Sequence, residues 1–485
     1  MKIAHIPHHF QFPFNYCSKL PRSSARGKIL ARIGTAHFKM YSKPENGVQP
    51  EEGTALTQSP IRTEVLLITS LAKALPKWSA VDDPLLSYHE YCQRWPRAAV
   101  QSLERGAEFL SSPKPHLVAF PTETVYGLGA DATRSACVRR IYWAKNRPAD
   151  NPLIVHVASL QQLSSLIGNP LPTIYEPLVK KFWPGPLTII LPLPEPSPFA
   201  PEVTNSLKNF GVRMPATPLA RLLIALSGKP IAAPSANTSK RPSTTTAQHV
   251  LEDLDGRVDI ILDGGPCGVG VESTVVDGTC DPPAILRPGG IGIEDIRALG
   301  GEWTKIVVGY NDVKKHEDID GVGPRAPGMK YKHYAPKGTV HLIAAGTSQS
   351  DLVHKLSHIL RQESRADCLT VGLIRTSCSW KRWLGCRTTL QELVNGAVKP
   401  MQESTIFPAA QGIYGHLGNS TFRFYDMRLG PSIESVAQDI FAALRACDEL
   451  NCDIIMIEGL REGLGAEANG LATAVMNRLR KATMG

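Results

Sequence analysis

Apolar positions along this chain change period several times, and each change marks an element. The stretch PRAAVQSLERGAEFLSS sets Ala99, Leu103, Ala107 and Leu110 three or four residues apart, the spacing of one helical face, and closes on a Ser-Pro break. HLVAF then reads as a short buried strand. From there to about residue 298, apolar runs alternate with helical patterns: PLIVHV, LTIILPL, GVRMP, IAAPSAN, DIILDGG, ESTVVD and AILRPG predict strands, with helices near 135–145, 174–182, 217–227 and 246–254. Between residues 309 and 338 no period survives among Gly, Pro and charge, which predicts a linker. Beyond it VHLIAA, CLTVGLIR, STFRFYDM and DIIMIEGL predict strands, while Ile433, Val436, Ile440, Leu444 and Leu450 fall near one face of a long helix. The fold expected is α/β: a leader over 1–95, largely disordered, an α/β domain with a mixed sheet over 96–308, the linker over 309–338, and a smaller α/β domain over 339–485. Within the leader, TEVLLITS (Thr63 to Ser70) alone would pass for a strand.

Composition adds class and compartment. A chain of 485 residues, 42% hydrophobic and 20% charged, can bury two or three ordinary cores, and no run of 18 apolar residues could span a bilayer. The net charge of +9 suggests a nucleic-acid partner until its distribution is seen. Residues 1–44 hold eight basic side chains and no Asp or Glu, which leaves 45 basic against 44 acidic side chains elsewhere. The folded body is nearly neutral. The acid-free leader fits a mitochondrial transit peptide or, equally, a basic tail with no address. Ten cysteines without a C-x-x-C pair signal neither a zinc site nor a disulfide framework, and they fit a reducing compartment.

The chemistry concentrates between residues 120 and 290. In FPTETVYGLGADA, Gly127-x-Gly129-x-x-Ala132 is a poor dinucleotide fingerprint, because Pro121-Thr-Glu-Thr intervenes after the strand and Asp150 sits in a proline-flanked loop. The helix SACVRRIYWAK should end before Pro148, so that Lys145 and Arg147 can converge once helical geometry stops. Arg134, Arg139, Arg140, Lys145 and Arg147, with no acid among them, fit either a polyanion site or a solvated helix face. Arg213, inside the apolar strand GVRMP, needs an anionic partner, since an unpaired buried charge costs several kcal/mol. His156 in NPLIVH reads first as a hydrogen-bonded core histidine. Ser235, Asn237, Ser239 and Ser243 offer hydroxyl and amide groups after a strand, but no G-x-S-x-G elbow accompanies them. Ser273 and Arg287 stand at further strand ends. Hydroxyl and basic residues at many strand termini suit a cavity for a phosphorylated substrate.

FPTETVYGLG, KNRPADNPLIVH, FWPGPLT, GVRMP, APSANTS, VESTVVD and LRPG occur here in an order that resembles the YrdC-type threonylcarbamoyl-AMP synthases, and APGMKYKHYAPKG with the C-terminal region resembles their longer, two-domain form. The resemblance implies a YrdC-like domain with a twisted mixed sheet around a concave cavity, plus a smaller Rossmann-like domain. It implies a nucleotidyltransferase that condenses L-threonine, bicarbonate or CO2, and ATP into threonylcarbamoyl-adenylate with release of pyrophosphate, the first step of t6A modification at position 37 of tRNA. Thr124, His156, Arg213, Ala233 and Ser273 would then surround threonine. Lys145, Arg147, Asn151, Ser235, Asn237, Ser243 and Arg287 would contact ATP, with Lys145 and Arg147 catalytic and Tyr334 folding over the nucleotide. Mg2+ is expected on the triphosphate and not on protein side chains. A tRNA threonylcarbamoyltransferase would take the product, and no membrane is involved. The chain would be cytoplasmic, with a mitochondrial pool. One departure from the family pattern is an insertion between Gly465 and Gly470. The rival reading is a double-stranded RNA-binding protein without catalysis, whose affinity would fall steeply with salt.

Overall fold

The apolar runs up to residue 308 become one sheet of eleven short strands: β1 Glu64–Leu67, β2 Val118–Phe120, β3 Gly127–Asp131, β4 Ile154–His156, β5 Leu187–Pro192, β6 Asn209–Arg213, β7 Ile231–Ala232, β8 Ile260–Asp263, β9 Thr274–Asp277, β10 Ala284–Arg287 and β11 Val307–Val308. Their order is β1-β8-β2-β3-β7-β4-β6-β5-β9-β10-β11. Parallel pairs such as β4/β6 and β5/β9 alternate with antiparallel ones such as β2/β3 and β5/β6, so the sheet is mixed. The structure is a computed structural model and describes residues 61–149, 151–310, 333–363, 368–376, 411–417, 420–463 and 469–483. The basic leader 1–44, linker residues 311–332 and residues 464–468 of the apparent insertion lie outside the described residues.

Two expectations need correction. Residues 61–95 were assigned to a largely disordered leader, yet β1 pairs in parallel with β8, from Glu64 opposite Ile260 to Leu67 opposite Asp263. Two helices follow, Thr69–Ala74 and Pro84–Tyr91, the second capped by Asp83 accepting from the Leu85 amide. Leu71, Leu75, Trp78 and Trp95 are buried against Leu103, Leu110 and Leu223. The buried Arg221 donates to the carbonyls of Trp78, Ser79 and Asp82 at 2.9 Å, tying this segment down. The domain therefore begins by residue 61; tryptophans at irregular spacing carry its burial, which periodicity does not detect. The second correction is GLGAD, which the expected strands leave out and which forms the strand β3, buried throughout. A Cβ on Gly129 would stand 2.7 Å from Phe120 Cε1, so glycine here serves the close packing of β2 on β3.

The second sheet comprises β12 Thr339–Ile343, β13 Cys368–Arg375, β14 Gln411–Leu417, β15 Ser420–Arg428 and β16 Ile454–Glu458, in the order β12-β16-β13-β15-β14. All pairs are parallel except the β14/β15 edge. The amphipathic pattern forms the helix Ile433–Glu449, with Ser432 accepting from the Ser435 amide at its start, and the chain closes on the helix Gly470–Thr483. These two helices face the larger domain. Their Phe441, Ile440 and Val475 share one buried cluster with Val125, Val271 and Tyr334, so apolar packing runs across the domain boundary. Gly270 has φ +80° and a Cβ there would lie 2.3 Å from the Ala437 carbonyl oxygen, which shows how closely the two domains approach.

Candidate active site

Helix Ser135–Lys145 ends at Asn146, which adopts the left-handed conformation at φ +48°. The Asn146 amide donates to the Trp143 carbonyl and the Arg147 amide to the Tyr142 carbonyl, each at 3.0 Å, a Schellman closure completed before Pro148 is reached. That turn sends Lys145 and Arg147 into one cavity. The other three basic residues of the cluster hold the fold. Arg134 donates to the Ser112 and Pro113 carbonyls, Arg139 pairs with Glu202 at 2.7 Å and Arg140 with Asp259 at 3.0 Å. The cluster is thus neither wholly a polyanion site nor a solvated face.

The cavity is lined by Thr122, Thr124, Val125, Gly127, Lys145, Arg147, Ile154, His156, Arg213, Ala233, Pro234, Ser235, Asn237, Ser239, Glu272, Ser273, Arg287, His333 and Tyr334. Eleven of the thirteen residues singled out in the sequence are therefore brought together. Asn151 and Ser243 are buried outside this lining. The Asn151 carbonyl accepts from the Tyr142 hydroxyl at 2.9 Å and from Nη2 of the lining Arg147 at 3.5 Å, and Ser243 Oγ donates to Oε1 of the lining Glu272 at 2.5 Å.

On one side, the loop between β2 and β3 folds on Thr122, whose hydroxyl donates to the Val125 carbonyl at 2.7 Å and lies 2.9 Å from Thr124 Oγ1. Arg213, at the end of β6, donates to Thr124 Oγ1 at 2.8 Å, to Glu123 Oε1 at 2.5 Å and to the Gly185 carbonyl at 3.2 Å. The anion that Arg213 requires is supplied from within, by Glu123. His156 is paired in register with Arg213, and burial, reinforced by that guanidinium, pushes its pKa down to about 3, so the ring is neutral. Ser273 Oγ lies 2.8 Å from Thr188 Oγ1 and accepts from Arg287 Nη2 at 3.0 Å.

On the other side, Lys145 is 2% exposed and its ammonium donates to the Ser235 and Asn237 carbonyls. Burial, then the neighbouring Arg147, hold its pKa well below the usual lysine range. Asn237 Nδ2 donates to the Thr238 and Arg241 carbonyls, while its buried Oδ1 has no hydrogen-bond partner among the described residues. Arg287 is pushed down to about 10 by burial. Burial also opposes ionisation of Glu272, but Arg478, then Arg287 and the Ser243 hydroxyl, overcome it and hold that carboxyl at about 2. Tyr334, at φ +63°, inserts from the linker; its ring stacks on Phe441 with centroids 5.3 Å apart, and burial followed by Glu272 pushes its phenol up to about 12.

Sequence reasoning missed Thr122, Glu123, Glu272 and His333. Glu123 could have been found, since it is the acid of PTET beside a motif whose arginine lacked a partner. Glu272, preceding Ser273 in VEST, gave a similar signal. His333 adjoins Tyr334, with ring centroids 4.5 Å apart.

Comparison with known proteins agrees with this arrangement. Residues 114–289 match the Sua5/YciO/YrdC family model, described as telomere recombination, and residues 291–483 match the one described as threonylcarbamoyl-AMP synthase, C-terminal domain. The threonylcarbamoyl-AMP synthase of Schizosaccharomyces pombe is 43% identical over 410 residues, covering 80% of this chain and 89% of its own. That of Bacillus subtilis is 40% identical over 369 residues, covering 76% and 90%. The crystal structure of Pyrococcus abyssi Sua5 complexed with L-threonine superposes with a TM-score of 0.61 at 38% identity, over 79% of this chain and 94% of that one. With both family regions present in order and the cavity residues assembled between them, the chain belongs to the threonylcarbamoyl-AMP synthase family.

Proposed function

We propose that this protein makes L-threonylcarbamoyl-AMP from L-threonine, bicarbonate or CO2, and ATP, releasing pyrophosphate as the first step of t6A modification of tRNA. The observation that carries the reading is one cavity lined by hydroxyl, imidazole, amide and cationic side chains together; we assign Thr124, His156, Arg213, Ala233 and Ser273 to threonine and Lys145, Arg147, Ser235, Asn237 and Arg287 to ATP. Threonine suits the first set. Its carboxylate would share Arg213 with Glu123, and its hydroxyl and amine would meet Thr124, Ser273 and the neutral His156. The triphosphate suits the second, where three cationic side chains converge.

The chemistry needs no protein nucleophile. The threonine amine adds to CO2 and loses a proton, giving a carbamate; a carbamate oxygen attacks the α-phosphorus in line, and pyrophosphate leaves with the electron pair of the broken P–O bond. The protein contributes proximity and stabilisation of charge on the transferring phosphoryl group. Glu272 is the carboxylate on the cavity lining, and its two oxygens are engaged by Ser243 and Arg478. These residues therefore fit a Mg2+ carried in by ATP and held on phosphate oxygens.

The linker reads as a lid. Tyr334 and His333 line the cavity, and their withdrawal and return with the nucleotide would exclude water from a labile adenylate. Product would pass to a tRNA threonylcarbamoyltransferase. Among the described residues no helix is long and apolar enough to cross a membrane, and the acid-free leader supports a mitochondrial pool beside a cytoplasmic one; a reporter fused to residues 1–44 that stays wholly cytosolic would refute that pool. The decisive assay is pyrophosphate release from ATP. It should require threonine and bicarbonate together, and release without threonine, or none with all substrates, would overturn the reading. Salt-sensitive RNA affinity with no turnover would instead favour the RNA-binding alternative.

A further inference from the structure

Charged side chains are seldom fully buried unless paired, yet the C-terminal helix Gly470–Thr483 turns a fully buried Arg478 toward the larger domain. Arg478 Nε donates to Glu272 Oε2 at 3.0 Å and Nη1 to the Pro288 carbonyl at 2.5 Å, across the domain boundary. Its guanidinium carbon lies 5.8 Å from the Tyr334 ring centroid, within cation–π reach. Each of these partners bears on the cavity. Glu272 and Tyr334 line it, and Pro288 directly follows Arg287, whose Nε and Nη2 hold the Ser273 carbonyl and hydroxyl at 3.0 Å. One guanidinium from the second domain thus fixes a wall carboxylate, the turn behind a wall arginine, and the inserted linker tyrosine.

We propose that Arg478 is a positioning residue supplied by the C-terminal domain, which clamps Glu272, the Arg287 turn and Tyr334 in the arrangement that closes on the nucleotide. The C-terminal domain is then part of the active site's wall. This rests on the synthase reading above. The contrasting case is Arg445, equally buried, which binds Asp253 and the Pro242 and Ser243 carbonyls and does not line the cavity. It serves docking, whereas Arg478 serves docking and the cavity together. Burial alone would favour protonation of Glu272, and Arg478 is the foremost group opposing it. Without Arg478, the Glu272 carboxyl should titrate at a higher pH than in the wild type.

The test uses the full-length chain, whose wild-type form must first show threonine-dependent pyrophosphate release; failure there rejects the synthase reading and not this one. In Arg478→Met, kcat/KM for ATP should fall about 10- to 100-fold, as for loss of a charged hydrogen bond, with a smaller change in threonine KM. Its kcat/KM for ATP should also gain an acid limb at a higher pH than any the wild type shows, and that limb should be abolished when Glu272→Gln is added. Arg478→Lys should remove that limb while restoring only part of the rate, and it carries the same readouts if Arg478→Met does not fold. Arg445→Met measures what loss of docking alone does. The proposal is overturned if the folded Arg478 variants keep wild-type kcat/KM for ATP, or lose it equally for both substrates with no pH limb, as Arg445→Met would.

Discussion

The two sides of the cavity are built on opposite electrostatic principles. Around Arg213 each charged or polar group comes with an internal partner: Glu123, Thr124 and the Gly185 carbonyl for the guanidinium, Thr122 for the turn. Around Lys145, a buried ammonium faces only carbonyl oxygens, and a buried Asn237 Oδ1 has no partner among the described residues. The first side is complete when the chain folds. The second holds unfavourable electrostatics that an anionic ligand would relieve, and it is closed by a linker tyrosine. On the proposed assignment, preorganisation would suit the small amino acid, while a triphosphate would supply part of the binding energy that orders its own site.

If that contrast is right, the largest losses come from the phosphate side. Arg147 is partly exposed and contributes little to the core, so Arg147→Ala should fold normally. Turnover should fall about 10- to 100-fold, the equivalent of roughly 1.5–3 kcal/mol for a charge-assisted contact. Wild-type pyrophosphate release by the purified, folded variant would remove Arg147 from the phosphate side.

The amino-acid side should answer differently. Arg213→Ala would delete the proposed contact to threonine and break the pair with Glu123, so a rise in threonine KM should come with a lower melting temperature, since breaking a buried pair costs about 3–5 kcal/mol. Glu123→Gln separates the two effects: it keeps a hydrogen-bond acceptor for Arg213 and should raise threonine KM several-fold with ATP KM little changed. Steady-state kinetics in which ATP KM moves more than threonine KM would transfer the carboxylate role elsewhere.

Much of this was legible in the sequence, for identifiable reasons. Strands β4, β5, β6, β8, β9 and β10 announced themselves because buried sheet positions demand Val, Ile and Leu, and the basic triplet stood out because a proline followed it. The segment 61–95 was not legible because its burial depends on Trp78, Trp95 and the distant Arg221, none of which repeats at helical spacing. The strand β3 hid behind glycines that serve packing against Phe120. Asn151 and Ser243 lie outside the cavity lining: both are polar and within the right motifs, but which polar residue reaches the cavity depends on side-chain direction, which spacing does not carry. Glu272 left a signal in VEST, but its pairing with Arg478 was hidden by a sequence separation of 206 residues.

The linker gives an intermediate test of the same contrast. Cleavage after Lys330 or Lys332 by a lysine-specific protease should be slowed by ATP with threonine and little affected by threonine alone, because closure belongs to the nucleotide side. Equal rates with and without both ligands, together with full activity in a chain truncated after Ala298, would show that the linker is a passive tether.

The smallest effect expected concerns acid stability. His156, His249 and His333 are each pushed down to about 3, foremost by burial and then, for the first two, by Arg213 and Arg445 respectively. In the unfolded chain each would take up a proton near pH 6.5. Between pH 6.5 and 3 the unfolded state therefore binds more protons, so stability is full above that window and falls as pH drops through it. Each histidine contributes at most about 1.4 kcal/mol per pH unit. Glu272, held at about 2, adds loss in the same direction below pH 4.5. His249 does not line the cavity, and its Nδ1 makes only long contacts to Thr245, at 3.4 and 3.5 Å. His249→Gln should therefore leave pyrophosphate release at pH 8 unchanged, while denaturant melts between pH 6.5 and 5 should show a stability slope shallower by one histidine's share. A slope identical to the wild type would mean that His249 is already protonated in the folded protein, and that the Arg445 and Arg241 guanidiniums beside it tolerate a third positive charge.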